Sequence, residues 1–392
     1  ALFNGLLQYL YQHGDVDQEF VAAHTQGLEQ AFASSTAEAS IKDVAARTGI
    51  STAKLSQFFE KFAQTDKVMT LFSMGVNQSS RGVDKANSII NCHLLTGKIG
   101  KLGAAPFSMT GQPNAMGGRE VGGLANMLAA HLDLENLEHQ QLVQNFWQSP
   151  YIAKQAGFKA VDLFQAVESD KIKAIWIMAT NPVVSLPDAD QVKRALDKCE
   201  FVVVSDICQD TDTTQYADVL LPALGWGEKD GTVTNSERRI SRQHAFLDAP
   251  GEAKADWWAI ARVAKQMGFR GFDFHNSHEI FKEHAELSAY QNVEISQRLE
   301  TPYFRYFNLQ GLSNLTTQEY DKLEPVQWPV WDKQQPVKSV ARLFAQGQFS
   351  HADGKAKFIA TTAIDPVNQV SSEYPLILNT GRIRDQWHTM SR

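Results

Sequence analysis

Residues 111–123 read GQPNAMGGREVGG, which sets Gln112 and an Arg119–Glu120 pair among five glycines. Glycine costs about 0.5–1 kcal/mol in regular structure relative to alanine, so this density implies tight turns or a backbone that comes close to something bulky. Two readings follow. In one, the stretch is a surface loop in which Arg119 pairs with Glu120 or another nearby acid. In the other, the loop folds beside a large ligand and presents the guanidinium to it.

Other reactive residue types are arranged less suggestively. His275, His278 and His284 accompany Glu279, but HNSH lacks the HExxH spacing that places two histidines on one helical face. The stretch reads as a polar helix start capped by Asn276 or Ser277. Cys92, Cys199 and Cys208 are far apart and form no CxxC pair, so neither a disulfide framework nor a cysteine-rich cluster is encoded. No metal-ligand set is expected. GxSxG, P-loop and GxGxxG patterns are absent, and GKIGKLG (97–103) has the wrong spacing for a phosphate loop.

The elements that must position these residues have a mixed texture. Residues 1–65 read as helices punctuated by Gly14, Gly49 and the Ser51–Thr52 cap signal. KVMTLFSMG (67–75) reads as a buried strand, ANSIINCHLLTG (86–97) as a helical run and EVGGLANMLAAHL (120–132) as a helix. Further on, KIKAIWIMATNP (171–182), KCEFVVVSDI (198–207) and ADVLLPAL (217–224) are apolar strands separated by helical segments. That pattern predicts a parallel sheet covered on both faces, with ligands beyond its carboxyl ends, where TNP, SD and GEKDG fall. Residues 250–325 are aromatic-rich and mixed, and beyond 336 the pattern is strand-like (KSVARLFAQGQF, GKAKFIATT).

The expected fold class is therefore α/β: Rossmann-like parallel sheets with flanking helices in two domains, plus a smaller mixed α+β part. The expected domains are 1–134, 135–250 and 251–374, with a further one opening at 375–392. A chain of 392 residues with 43% hydrophobic and 21% charged residues is that of a multidomain globular protein. Its net charge of -7 argues against nucleic-acid or acidic-membrane partners. No apolar run approaches the roughly 18 residues of a membrane span, no signal peptide is visible, and sparse cysteines fit a reducing, cytoplasmic setting. The chain opens inside an apolar-periodic helix pattern and stops after NTGRIRDQWHTMSR, so a piece of a longer protein is expected.

IKDVAARTGISTAKLSQFFEKF (41–62) resembles the helix-turn-helix of lac-repressor-type regulators. A recognition helix needs base-reading and phosphate-reading side chains. Here Lys54, Gln57 and Lys61 are offset by Glu60 and accompanied by Phe58, Phe59 and Phe62, so a packed structural hairpin is expected and a DNA-binding regulator is the remote alternative.

Taken in order, MGVNQ (74–78), GQPNAMGGRE, TNP, VSDI, ADVLLPALGWGEKDG, NSERRIS and TGRIRDQWHT resemble the molybdenum enzymes of the dimethyl-sulfoxide-reductase family. Within that family, the loop at 111–123 and the closing TGRIRDQWHTMSR look most like assimilatory nitrate reductases. Formate dehydrogenases are the nearest in pattern otherwise, without the Gln-Pro…Arg-Glu arrangement, and they are the enzymatic alternative.

The resemblance implies a molybdenum bis-molybdopterin guanine dinucleotide cofactor and reduction of nitrate to nitrite by oxygen-atom transfer. It implies cofactor contacts at Met74, Gln78 and Asn181, a guanosine-binding pair at Ser205 and Asp206, and further contacts at Lys229 and Asp256. Thr380, Gly381, Arg382, Trp387, His388 and Thr389 match the family's closing cofactor loop. Gln112 and Arg119, with Met74 beside the metal's sulfur ligands, match positions on the route to molybdenum. A guanidinium there can bind two oxygens of planar, anionic nitrate side by side. The family's [4Fe–4S] centre and molybdenum-ligating cysteine have no counterpart here, so they are expected in a missing N-terminal part, and the fragment alone is expected to be inactive. Ferredoxin and a pyridine-nucleotide-linked reductase subunit are both compatible electron donors.

Overall fold

The computed structural model describes residues 1–298, 305–332, 342–351, 353–366 and 368–378. Parallel strand pairs and packed helices make it a mixed α/β structure, as the pattern predicted.

The N-terminal third is helical because its apolar residues recur at helical spacing. Helix Leu2–Gln12 buries Leu6, Leu7 and Leu10. The pair Ile41–Thr48 and Thr52–Gln64 is set by a Ser40–Asp43 capping box and by Gly49 in the left-handed region at φ +70°. Leu55, Phe59 and Phe62 enter the core, so the second helix spends its aromatic face on packing. Lys98 donates to the Phe62 and Ala63 carbonyls and so caps the C-terminus of that helix. The same core takes in Phe349, Ala356 and Phe358. Strand Ala356–Lys357 pairs in parallel with Thr25–Gln26, and Asn4 and Asn91 bond the backbone at Thr361 and Ile359.

Helix Gly82–Leu95 lies between two parallel strands, Met69–Phe72 and Ala105–Ser108. The expectation of a buried strand at 67–75 needs correction. The strand pairs on one side only among the described residues, and Met69 and Leu71 are 47% and 57% exposed. Apolar composition alone cannot distinguish a covered strand from one with a bare face.

Strands Ala174–Met178, Phe201–Asp206 and Val219–Pro222 form a parallel sheet in that order. Val202 and Val204 share a core with Phe164, Val167, Val192 and Leu196 of the helices Ala160–Glu168 and Ala189–Lys198. Trp176 and Ser205 point to the opposite face, as the period of two requires.

An antiparallel sheet of Gly231–Thr234, Arg239–Gln243 and Val326–Gln327 packs against helix Ser277–Ala289. Phe281, Phe307, Tyr320 and Trp328 belong to their shared core.

Two further expectations are corrected. Residues 120–132 are not one helix: a short helix, Ala115–Glu120, is followed by turns and a 3-10 turn at Ala129–His131. Gly122 breaks the pattern at φ +74°, and a Cβ there would lie 2.6 Å from the Ala129 backbone nitrogen. Of the strand expected beyond 336, residues 333–341 lie outside the described residues and 342–347 are mostly turn rather than strand.

Candidate functional site

The short helix Met74–Asn77 starts one residue after strand Met69–Phe72, and the Gln78 N–H closes it on the Met74 carbonyl at 2.9 Å. Two bonds tie this turn to the end of the neighbouring strand. Ser73 Oγ donates to the Met109 carbonyl (2.5 Å), and Asn77 Nδ2 donates to Ser108 Oγ (2.8 Å). The chain then crosses to the antiparallel sheet, where the Thr110 N–H donates to Ser236 Oγ (3.2 Å) and Asn114 Oδ1 accepts from the Thr234 N–H (2.9 Å). Met74 and Gln78 are thus brought beside the start of the glycine-rich loop. Gln112 is exposed on it, and Met116 packs inward against the aromatic core.

Arg119 and Glu120 diverge. Glu120 is 3% exposed: Oε1 accepts from Trp328 Nε1 (2.6 Å) and Oε2 from Thr234 Oγ1 (2.8 Å). Burial pushes its carboxyl up to about 7, against the lowering effect of those two hydrogen bonds. Arg119 is exposed and makes no ion pair among the described residues. The pairing of Arg119 with Glu120 that a surface loop would favour is therefore absent. The buried role of Glu120 was missed in the sequence; its only local signal was a carboxylate among neutral, small neighbours.

A second group gathers at the carboxyl ends of the three-stranded sheet. Asn181 Oδ1 accepts from Thr213 Oγ1 at 2.6 Å. Ser205 is 3% exposed and its hydroxyl accepts from Trp176 Nε1 (2.9 Å), so that side chain is turned into the sheet. Asp206 Oδ1 accepts from the Cys208 N–H (3.0 Å), and the Asp206 carbonyl accepts from the Ala223 N–H (2.9 Å). One residue on, the Leu224 N–H donates to the Lys254 carbonyl (3.2 Å), which leads to Asp256 at the start of helix Asp256–Gln266. Lys229 Nζ pairs with Asp256 Oδ2 at 2.9 Å, joining two residues that are 27 apart in sequence.

Asp256 Oδ1 is buried without a hydrogen-bond partner among the described residues. An acceptor without a donor is unfavourable by about 1–3 kcal/mol, which fits an oxygen awaiting a ligand N–H or hydroxyl. Lys229 leads directly into strand Gly231–Thr234, so the hairpin carrying Thr234 and Ser236 links this group to the glycine-rich loop. Thr380, Gly381, Arg382, Trp387, His388 and Thr389 lie outside the described residues.

His278 is structural, and His275 pairs with Glu279 at the exposed helix start. Asn276 caps helix Ser277–Ala289, and His278 lies between Thr317 Oγ1 and the Leu315 carbonyl. Among the described residues no three His, Cys, Asp or Glu side chains converge as a metal site. Cys92 is buried, Cys199 half-buried and Cys208 exposed. No described helix is long and apolar enough to cross a membrane.

Residues 2–266 match the model of the molybdopterin oxidoreductase family. The chain belongs to this family. Membership implies a molybdenum–pterin cofactor, and the orphaned Asp256 oxygen fits a polar group that offers it an N–H or O–H donor. The chain is 49% identical to a nitrate reductase of Shewanella frigidimarina and 46% identical to one of Klebsiella oxytoca, in each case over 100% of its own length. It covers 41% and 43% of those proteins, so it spans about two-fifths of each. An F420-dependent formate dehydrogenase α subunit of Methanocaldococcus jannaschii is 29% identical over 99% of this chain and 53% of that one. Among solved structures, acetylene hydratase from Pelobacter acetylenicus superposes with a TM-score of 0.60 at 17% identity, covering 91% of this chain and 47% of that one; the likeness concerns the fold.

Proposed function

We propose that this chain forms part of a molybdenum bis-molybdopterin guanine dinucleotide oxidoreductase that reduces nitrate to nitrite. The observation that carries the reading is the divergence of Arg119 and Glu120. With Glu120 turned inward, the Arg119 guanidinium is left exposed on a loop tied to the strand-end turn that holds Met74. Two N–H groups of Arg119 suit two nitrate oxygens, and Gln112 on the same loop suits the third.

Asn181, Ser205, Asp206, Lys229 and Asp256 would hold the polar ends of the cofactor, with Met74 and Gln78 at the first strand end. The closing segment with Thr380, Gly381, Arg382, Trp387, His388 and Thr389 would complete that grip. When bound, the cofactor supplies two-electron oxygen-atom transfer, while the protein binds, orients and tunes. Cys92, Cys199 and Cys208 do not form a set that fits a [4Fe–4S] centre. Electrons would come from ferredoxin or a pyridine-nucleotide-linked subunit in the cytoplasm.

A viologen-driven assay of the full-length protein with nitrate and formate side by side tests the reading. Nitrite formation without formate oxidation is expected. Formate oxidation without nitrite formation would transfer the assignment to the formate dehydrogenase reading. The isolated chain is expected to be inactive, and nitrite production by it would contradict that part.

A further inference from the structure

Behind the glycine-rich loop lies a cavity of about 110 Å³, with Asn114, Gly117, Gly118, Glu120, Thr234 and His284 in its wall. At about 30 Å³ per molecule it has room for several waters. Two of its polar groups are unusual. Glu120 is a carboxyl almost fully withdrawn from solvent, and His284 Nε2 is buried without a hydrogen-bond partner among the described residues.

Hydrogen-bond chemistry locates the Glu120 proton. An indole N–H can only donate, so Oε1 facing Trp328 Nε1 accepts in either protonation state. The exchangeable proton therefore sits on Oε2, 2.8 Å from Thr234 Oγ1. A hydroxyl that accepts this proton turns its own hydrogen elsewhere, and Thr234 lines the cavity that His284 also lines. On the loop side the wall at Gly117 and Gly118 is backbone alone, and a Cβ at Gly118 would meet nothing within 4 Å.

We propose that Glu120, Thr234 and His284 form a buried proton store behind the loop that carries Arg119, relaying protons through water in the cavity. The proposal rests on the nitrate reading, in which the demand is explicit: nitrate, two electrons and two protons give nitrite and water. The electrons come from the ferredoxin or pyridine-nucleotide-linked donor, and the protons must enter beside the bound anion. Glu120 holds one of them and is a positioning and proton-holding residue. Charged and titratable groups around it are Arg119 on its own helix, His131 on the following turn, His284 from helix Ser277–Ala289, and Arg238, whose guanidinium lies 5.1 Å over the Trp328 ring. A carboxyl that titrates at about 7 changes protonation in the working range, and the His284 ring, lowered to about 4 mainly by burial, is neutral there.

Infrared difference spectra of the full-length protein against Glu120→Gln test this without turnover. A protonated-carboxyl C=O band that is lost in the variant and titrates near neutrality is expected. In the viologen assay, E120Q should lower kcat roughly tenfold and abolish the pH dependence near 7, with nitrate KM and molybdenum content unchanged. His284→Gln should lower kcat while leaving the carboxyl band in place. Absence of a titrating band overturns the store. So does a lower kcat with an unchanged pH profile, which would mark Glu120 as a structural tether. A titrating band in a protein that does not reduce nitrate would instead remove the nitrate reading and leave the buried titration standing.

Discussion

Glu120 Oε1 accepts a 2.6 Å hydrogen bond from Trp328 Nε1, joining residues 208 positions apart in a fully buried contact. The bond fixes which way the glycine-rich loop faces: its carboxylate is anchored inward, and the preceding guanidinium is left in solvent.

Trp328→Phe keeps the ring and removes the donor, leaving Oε1 without its partner. The expected loss is about 1–3 kcal/mol of stability, read by urea unfolding. A change of a few tenths would mean that the bond contributes little to anchoring the loop.

Glu120 also predicts a pH dependence of stability. Its carboxyl is raised from an ordinary 4.5 to about 7, so the folded state favours the protonated form. The contribution is fully present below pH 4.5 and is lost as pH rises through 7, at most about 3 kcal/mol in all. Urea midpoints compared at pH 5 and pH 8 should differ more for the wild type than for E120Q. Equal differences would place the titration elsewhere.

Arg119→Ala should raise the nitrate KM of the full-length enzyme at least tenfold, because charge-assisted hydrogen bonds contribute about 1.5–3 kcal/mol each. Molybdenum content should be unchanged, since the side chain lies outside the packed core. Falling metal content would make Arg119 a cofactor or structural residue instead.

Asp256→Asn disturbs both the Lys229 pair and the orphaned oxygen. The full-length variant is expected to purify with several-fold less molybdenum and guanine nucleotide and with nearly wild-type thermal stability. Full cofactor occupancy would show that the pair only staples the helix start.

Gly122→Ala should destabilise the chain by about 1–3 kcal/mol. Its φ of +74° is strained for alanine, and the new Cβ would sit 2.6 Å from the Ala129 nitrogen. Wild-type stability in thermal unfolding would mean that the turn relaxes freely.

Local chemistry made much of this protein legible from sequence. Apolar runs such as FVVVSD and periodic ones such as Leu6, Leu7 and Leu10 specify strand and helix because their period matches the element that buries them. The Asn276 cap and the Gly49 turn were readable because capping and positive φ depend on adjacent residues. The ordered motifs pointed to the family by resemblance, and three of them, MGVNQ, TNP and VSDI, fall at strand ends, where an open α/β sheet places ligands. Tertiary structure alone decided the rest. Whether Met69 and Leu71 are covered depends on which neighbour packs over them, and composition is silent on that. Lys229 meets Asp256, and Glu120 meets Trp328, only after distant segments fold together. The sequence set Arg119 beside Glu120 as an ion pair in waiting; the packing of a tryptophan 208 residues away from Glu120 separated them, because a buried carboxyl is held by the donors around it rather than by its neighbour in the chain.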